Sequence, residues 1–143
     1  MRGVVAVILF GAAIIFGAVG TGEAASLTAR IDISRQTMTV SEYGRVLHRW
    51  RVSTARRGYR TPRGTYRPIR LHRMWHSRKY HNSPMPYSVF FHGGYAIHGT
   101  YETRSLGRPA SHGCVRLHPR DAATFFAMVK EVGAGNTRIV VAN

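Results

Sequence analysis

Apolar and polar residues alternate through the first half of the chain. The alternation covers 27–33 and 36–40, with Ser34 and Arg35 between them, and aromatic and branched residues follow at 46–52. Because successive side chains of a strand point to opposite faces of a sheet, a period of two predicts strands. We therefore expect this half to form a β-meander.

Glycines and prolines interrupt the next part, between residues 53 and 68, and predict a long loop. Strand character returns over 66–74, and two more strands are predicted at 88–92 and 95–98 around a glycine turn. The polar and aromatic stretch 75–87 is predicted to be a second long loop. Loops of this length often cover a binding site, so we expect a lid.

One amphipathic helix is predicted at residues 119–132. Pro119 suits a first helical turn, and Gly133 suits the end of a helix. Apolar residues recur at helical spacing between them: Ala122, Phe125, Phe126 and Val129. With a last strand at 137–141, the pattern predicts a mainly β fold, a sandwich or mixed sheet with the helix packed against it.

The N-terminus has the layout of a secretory signal peptide. Arg2 precedes an apolar run at 4–19, and small residues follow it. The run is shorter than the ~18 residues typical of a spanning helix, although an uncleaved membrane anchor is the alternative. We expect residues 1–25 to be removed after Ala24 or Ala25, which leaves one exported domain at 26–143 in the periplasm or cell envelope.

The formal net charge of +15, from 21 Lys and Arg against 6 Asp and Glu, implies an anionic partner. The cations are scattered, and no nucleic-acid-binding motif accompanies them, so we expect no nucleic acid. Anionic polymers of the cell envelope fit both the charge and the predicted export.

Cys114 is the single cysteine of the chain. Exported thiols are usually paired, and a lone cysteine cannot form an internal disulfide. Cys114 is therefore either a reactive thiol or a buried residue that acts as a small hydrophobe. The cysteine count alone leaves both interpretations open.

The residues around Cys114 resemble the signature of the L,D-transpeptidase catalytic domain family. His98-Gly99 precedes 111–116, Ser-His-Gly-Cys-Val-Arg, which is similar to the family motif S/T-x-G-C-hydrophobic-R/N. Residues 61–66, Thr-Pro-Arg-Gly-Thr-Tyr, are similar to its T-P-x-G-x-[FY] segment, and 31–33 to its opening hairpin. The resemblance therefore covers essentially the whole predicted domain.

The resemblance implies that Cys114 is a nucleophile activated by His98, a base oriented by the backbone carbonyl of Gly99. His112 would line the site, although from chemistry alone either histidine could serve as the base. The backbone amides of Gly113 and Cys114 are candidate donors to an oxyanion. The candidate substrate-binding residues are Ser111, Arg116, Tyr80 and Tyr87; for the arginine and the tyrosines a structural role is the alternative.

The implied reaction joins a peptidoglycan stem tetrapeptide to Cys114 through the L-centre of diaminopimelate and releases D-alanine. An amine then resolves the thioester, with no cofactor or metal. The acceptor stays open between cross-linking, D,L-carboxypeptidase trimming, hydrolysis of cross-links and attachment of an envelope protein. We expect a monomer that acts on peptidoglycan stem peptides.

Two other classes of protein are alternatives to an L,D-transpeptidase. A zinc peptidase would use His72, His76 and His81, but no HExxH or CxxC motif accompanies them. A non-catalytic, basic wall-binding protein would explain the charge. That class leaves the pairing of His98 with the Cys114 motif as a coincidence.

Overall fold

The computed structural model describes residues 25–143. The predicted signal peptide, apart from Ala25, lies outside the described residues. Within them the chain forms two sheets and one α-helix. The elements in chain order are β1 Leu27–Asp32, β2 Thr37–Glu42, β3 Arg45–Arg51, β4 Gly64–Tyr66, β5 Arg70–Ser77, β6 Ser83–His92, β7 Tyr95–Gly99, β8 Val115–Leu117, α1 Pro119–Val132 and β9 Thr137–Ala142.

The first sheet has the strand order β3-β2-β1-β9-β4. β1 pairs antiparallel with β2 and parallel with β9, so the last strand of the chain lies beside the first. Leu27, Ala29 and Ile31 are fully buried, whereas the residues between them face outward to varying degrees. The apolar residues of the alternating pattern therefore form the inner face of this sheet, as expected for a strand.

The second sheet has the order β5-β6-β7-β8, and it holds His98 on β7 and the end of the Cys114 motif on β8. β7 and β8 run parallel, with Ile97 opposite Val115 and His98 opposite Arg116. Parallel neighbours cannot be joined by a tight turn, so the chain crosses over between them through residues 100–114. This crossover brings two distant parts of the motif together.

The helix α1 packs its apolar face against β6 and β7. It begins at Pro119, where the His118 ring accepts a hydrogen bond from the Arg120 amide at 3.2 Å, and ends before Gly133. The predicted bounds and apolar positions are confirmed: Ala122, Phe125, Phe126 and Val129 are buried in the main core. No helix within residues 25–143 has the length and apolar character needed to cross a membrane.

The expectation of a long loop at 75–87 was wrong. β5 continues through Ser77 and β6 begins at Ser83, so this stretch is the end of a β-hairpin with a short turn. Pro84 and Pro86 pair with β5 in a part of β6 that lies beyond its pairing with β7. A proline is tolerated on an edge without a neighbouring strand because its missing N–H would have no partner there.

Phe125→Ala should lower the free energy of unfolding by about 3–5 kcal/mol, because the ring is fully buried and its removal leaves a cavity. Urea denaturation of the wild type and the variant measures this. Lys130→Ala, at an exposed position of the same helix, is the control and should change stability by no more than about 0.5 kcal/mol. A loss below about 1 kcal/mol for Phe125→Ala would contradict the assigned core.

Candidate active site

The parallel pair β7 and β8 positions the two central side chains. His98 lies near the end of β7, and Cys114 immediately precedes β8, one residue before the Val115 that pairs with Ile97. Both side chains line the same cavity. The structure thus brings together the histidine and the cysteine that the motif singled out.

A hydrogen bond fixes the tautomer of His98. Its Nδ1 lies 2.7 Å from the carbonyl oxygen of Gly99, and because a carbonyl can only accept, Nδ1 must carry the proton. The neutral ring then has Nε2 as its proton acceptor. Gly99 is buried against Pro86 and Pro119, where a Cβ would lie 3.0 and 3.1 Å from their atoms, so the strand cannot easily shift at this point.

Burial keeps His98 neutral. The side chain is only 5% exposed, and the pKa of His98 is lowered from 6.5 to about 4, mainly by desolvation and to a smaller extent by the nearby Arg116. The hydrogen bond to Gly99 opposes this shift but does not reverse it. At neutral pH the ring is therefore an unprotonated imidazole, able to take a proton.

Cys114 lies in apolar surroundings. It packs with a small cluster formed by Met85, Phe90, Ala96 and Trp75. Desolvation raises the pKa of the Cys114 thiol, while a hydrogen bond from the Ala96 backbone and the charge of Arg116 partly oppose the rise. The resting site therefore holds a thiol and a neutral imidazole in one cavity, and a reaction at the sulfur requires its deprotonation.

Ser111 fastens the loop that carries the cysteine. Its hydroxyl donates to the Cys114 carbonyl at 2.6 Å and accepts from the Gly113 amide at 3.0 Å. The backbone of Ser111 is in turn bonded to Thr54 and Arg56. Because its one N–H is bound to Ser111, the Gly113 amide is not free to serve an oxyanion in this conformation, which leaves the Cys114 amide as the candidate donor.

His112 is held between two tyrosines at the mouth of the cavity. Tyr80, from the turn of the β5–β6 hairpin, stacks on it with ring centroids 4.0 Å apart, and Tyr59 meets it edge-on at 4.8 Å. Desolvation lowers the pKa of His112, and the charges of Arg56 and Arg116 lower it further. His112 is thus a second neutral imidazole in the site, fixed by stacking.

Arg116 lies on β8 opposite His98, and its guanidinium approaches Glu102 at 3.5 Å. Its backbone exchanges hydrogen bonds with Ser53, which ties β8 to the segment after β3. Both Arg116 and Glu102 line the cavity. Arg116 therefore has two roles: its backbone helps to hold β8 in place, and its side chain adds positive charge to the cavity.

The cavity has a volume of about 760 Å³. It is lined by the predicted site residues His98, Ser111, His112, Cys114, Arg116 and Tyr80. Tyr87 lies apart from them: its ring meets Phe126 of α1 edge-on, 5.7 Å between centroids, and packs on the main core.

The alternative zinc ligands His72, His76 and His81 do not form a metal-binding group. Residues 25–143 contain no group of three or more His, Cys, Asp or Glu side chains placed to hold a metal ion.

Sequence reasoning did not find several residues of this site. Tyr95 closes against Gly113, Glu102 pairs with Arg116, and Arg70 and Lys79 line the cavity from the hairpin. Each comes from a segment that is distant in sequence or was expected to be a loop. The composition offered one signal, an excess of cations, but did not place them.

A thiol and a neutral, carbonyl-oriented imidazole that line one cavity form the arrangement of groups that cysteine acyl transfer requires, and here a mainly β domain holds them. Residues 27–141 match the family model YkuD, described as the L,D-transpeptidase catalytic domain. The chain belongs to this family, as its motifs predicted.

Relatives of known sequence or structure agree with this assignment. The Bacillus subtilis (strain 168) protein YkuD is 26% identical over 103 residues, which cover 69% of this chain and 58% of that protein. An L,D-transpeptidase from Mycobacterium smegmatis has a TM-score of 0.75 at 26% identity, over 83% of this chain and 59% of that one. LdtMt1, an L,D-transpeptidase in complex with imipenem, has a TM-score of 0.72 at 26% identity, over 82% of this chain and 59% of that one. This chain thus spans less than two thirds of the length of these relatives.

Gly113→Ala should displace the cysteine loop. Gly113 has a φ of 137°, and a Cβ there would collide with the Tyr95 ring and lie 2.9 Å from the Arg60 carbonyl oxygen. We expect a loss of about 1–3 kcal/mol in the free energy of unfolding and a changed alkylation rate at Cys114. Gly135→Ala, with no atom within 4 Å of the added Cβ, is the control. Equal stability and alkylation in both variants would contradict the tight loop.

The rate of Cys114 alkylation by iodoacetamide should rise about tenfold per pH unit from pH 6 to 8 and should not level off there. The reason is the raised pKa of the half-buried thiol, since only the thiolate reacts readily. Protein unfolded in urea, where the thiol has its ordinary pKa, should react faster at pH 7. A plateau below pH 7 in the folded protein would show a preformed thiolate and contradict the neutral pair.

Proposed function

We propose that this domain is a peptidoglycan L,D-transpeptidase whose nucleophile is Cys114. The observation that carries the proposal is the pair formed by Cys114 and a His98 ring with Nδ1 bound to Gly99 and Nε2 left as the acceptor. This pair supplies a nucleophile and a base in one cavity, within a chain of the L,D-transpeptidase catalytic domain family.

The first half-reaction acylates the cysteine. As Sγ attacks the carbonyl at the L-centre of diaminopimelate in a stem tetrapeptide, its proton passes to Nε2 of His98. The developing oxyanion takes a hydrogen bond from the Cys114 amide. His98 then gives the proton to the leaving nitrogen, the C–N bond breaks, D-alanine departs, and a thioester to Cys114 is left.

The second half-reaction transfers the acyl group. An acceptor amine attacks the thioester carbonyl and loses its proton to His98, and the C–S bond breaks as that proton returns to sulfur. His98 thus acts as base and acid in both halves. His112, stacked on Tyr80, supports the wall of the cavity beside the reacting carbonyl.

The apolar cluster beside Cys114 favours transfer to an amine over hydrolysis. Cys114 packs against the buried cluster of Met85, Phe90 and Ala96, whose groups bind water poorly. A thioester in such surroundings reacts with an acceptor that the cavity positions, while free water is kept away. This supports transfer as the main outcome, and D,L-carboxypeptidase activity, with water as acceptor, as the minor one.

The proposed location and partners are supported by patterns in the sequence. We propose that residues 1–25 direct export to the periplasm or cell envelope of a bacterium, where the domain acts as a monomer on stem peptides in cell wall biogenesis and maintenance of cell shape. The excess of cations supports attraction to anionic envelope polymers. The acceptor is a second stem or an amine of an envelope protein, and a carbapenem such as imipenem is proposed to acylate the same cysteine.

The test is the product spectrum of purified tetrapeptide stems incubated with the mature domain. The wild type should release D-alanine and form a cross-linked dimer or an amine-exchanged stem. Cys114→Ser should lower the rate at least about 1,000-fold, because a hydroxyl is a much weaker nucleophile than a thiol paired with imidazole. Imipenem should add to the wild type and not to the variant.

Ala127→Ser is the matched control, since it adds a hydroxyl at an exposed position of α1 and should leave the rate unchanged. Activity in Cys114→Ser equal to that of the wild type would overturn the assignment of the nucleophile. Free tripeptide as the dominant product in the presence of acceptor amine would replace transfer with hydrolysis.

A further inference from the structure

One wall of the cavity carries positive charge without a carboxylate to balance it. Arg70, Arg78 and Lys79 line the cavity from the β5–β6 hairpin, and each is exposed. In the described part of the chain, ion pairs within 4.0 Å join only Arg35 to Asp32 and Arg116 to Glu102. The hairpin wall therefore offers free cations to whatever enters the cavity.

Arg70 is held in place by aromatic rings. Its Cζ lies 3.8 Å from the centroid of the Phe90 ring and 5.5 Å from that of Trp75, and these two rings meet edge-on at 5.6 Å. A guanidinium stacked on a ring keeps its N–H groups in its own plane, directed away from the ring. Such a fixed, planar group is suited to bind a carboxylate through two parallel hydrogen bonds.

The other charges of the cavity strengthen the same potential. Among described residues, Glu102 is the acidic side chain that lines the cavity, and it is already paired with Arg116. Desolvation is the main cause of the lowered pKa of His112. The remaining causes are the charges of nearby basic groups, namely Arg56, Arg116, His81 and Lys79. An anionic ligand would therefore be stabilised throughout the cavity.

Phe90 connects this wall to the reacting sulfur. The same ring that Arg70 covers belongs to the apolar cluster that packs with Cys114. A substrate whose carbonyl lies at the sulfur thus has its flanking groups near the hairpin wall. A stem tetrapeptide has more than one carboxyl group, and each of them can be compared as the free acid and as the amide.

We propose that Arg70 is a specificity-determining residue that binds a free carboxylate of the acyl donor, so that the domain prefers donors whose carboxyl groups are not amidated. Arg78 and Lys79 add attraction from the same wall. This inference rests on the proposed function, because it names the acyl donor that Cys114 accepts.

The experiment compares kcat/KM for D-alanine release, or for release of its amide, from four tetrapeptides. One has all carboxyl groups free, and each of the others has one carboxamide: on the second residue, on the side chain of diaminopimelate, or on the terminal D-alanine. In the wild type, at least one carboxamide should lower kcat/KM about tenfold or more, since a paired ionic hydrogen bond is lost. That analogue identifies the carboxyl group that Arg70 binds.

Arg70→Gln should bring this ratio close to one by slowing the free-acid donor. Arg70→Lys should keep an intermediate ratio, because an ammonium retains the charge but not the parallel hydrogen bonds. Arg73→Gln is the matched control: Arg73 is an exposed arginine on the same strand that is not among the residues lining the cavity, and it should keep the wild-type ratio. Raising ionic strength should lower kcat/KM more for the free acid than for the amide.

Equal rates with all four donors in the wild type would overturn the inference, whether or not the Arg70 variants fold. A full acid-to-amide ratio in folded Arg70→Gln would overturn the assignment to Arg70. These results differ from failure of the proposed function, in which none of the four donors acylates Cys114 at all.

Discussion

The parallel pairing of β7 with β8 is the constraint on which the site depends. It places the end of one strand, with His98, beside the start of another, which Cys114 precedes. Neither strand could hold this position alone: β7 packs under α1, and β8 is a three-residue strand secured by hydrogen bonds to Ser53. The long crossover thus brings an imidazole and a thiol into one cavity.

Burial then sets the protonation state of the pair. Desolvation disfavours the charged form of both groups, so it lowers the pKa of His98 and raises that of Cys114. The hydrogen bond to Gly99 decides which ring nitrogen is free, and this needs no acidic third residue. A basic protein with few carboxylates can therefore orient the histidine of its candidate site through its own backbone.

The sequence predicted the elements whose patterns are local. The spacing of Phe125, Phe126 and Val129 and the flanking Pro119 and Gly133 define the helix, because a helix is specified by neighbours three and four residues apart. The strand β8 was missed because three residues carry no measurable period. The hairpin at 75–87 was missed because its prolines indicate a loop unless the missing neighbour strand is known.

The site divides in the same way. The motif identified Cys114, His98 and His112, since their order along the chain is itself the signal. Their environment could not be predicted: the bond from the Gly113 amide to Ser111, the stacking of Tyr80 on His112 and the seat of Arg70 on Phe90 all join distant segments. The sequence could not distinguish Tyr80 from Tyr87 as candidates for the site. In the folded hairpin Tyr80 lines the cavity, whereas Tyr87 packs against Phe126 of α1.

The central claim is a covalent intermediate on Cys114, and intact-mass spectrometry of the protein mixed briefly with a stem tetrapeptide tests it most directly. The account predicts a mass increase equal to the mass of the tetrapeptide less that of free D-alanine, mapped by digestion to the peptide that contains Cys114. Steady release of D-alanine with no adduct, or an adduct on any other residue, would contradict it.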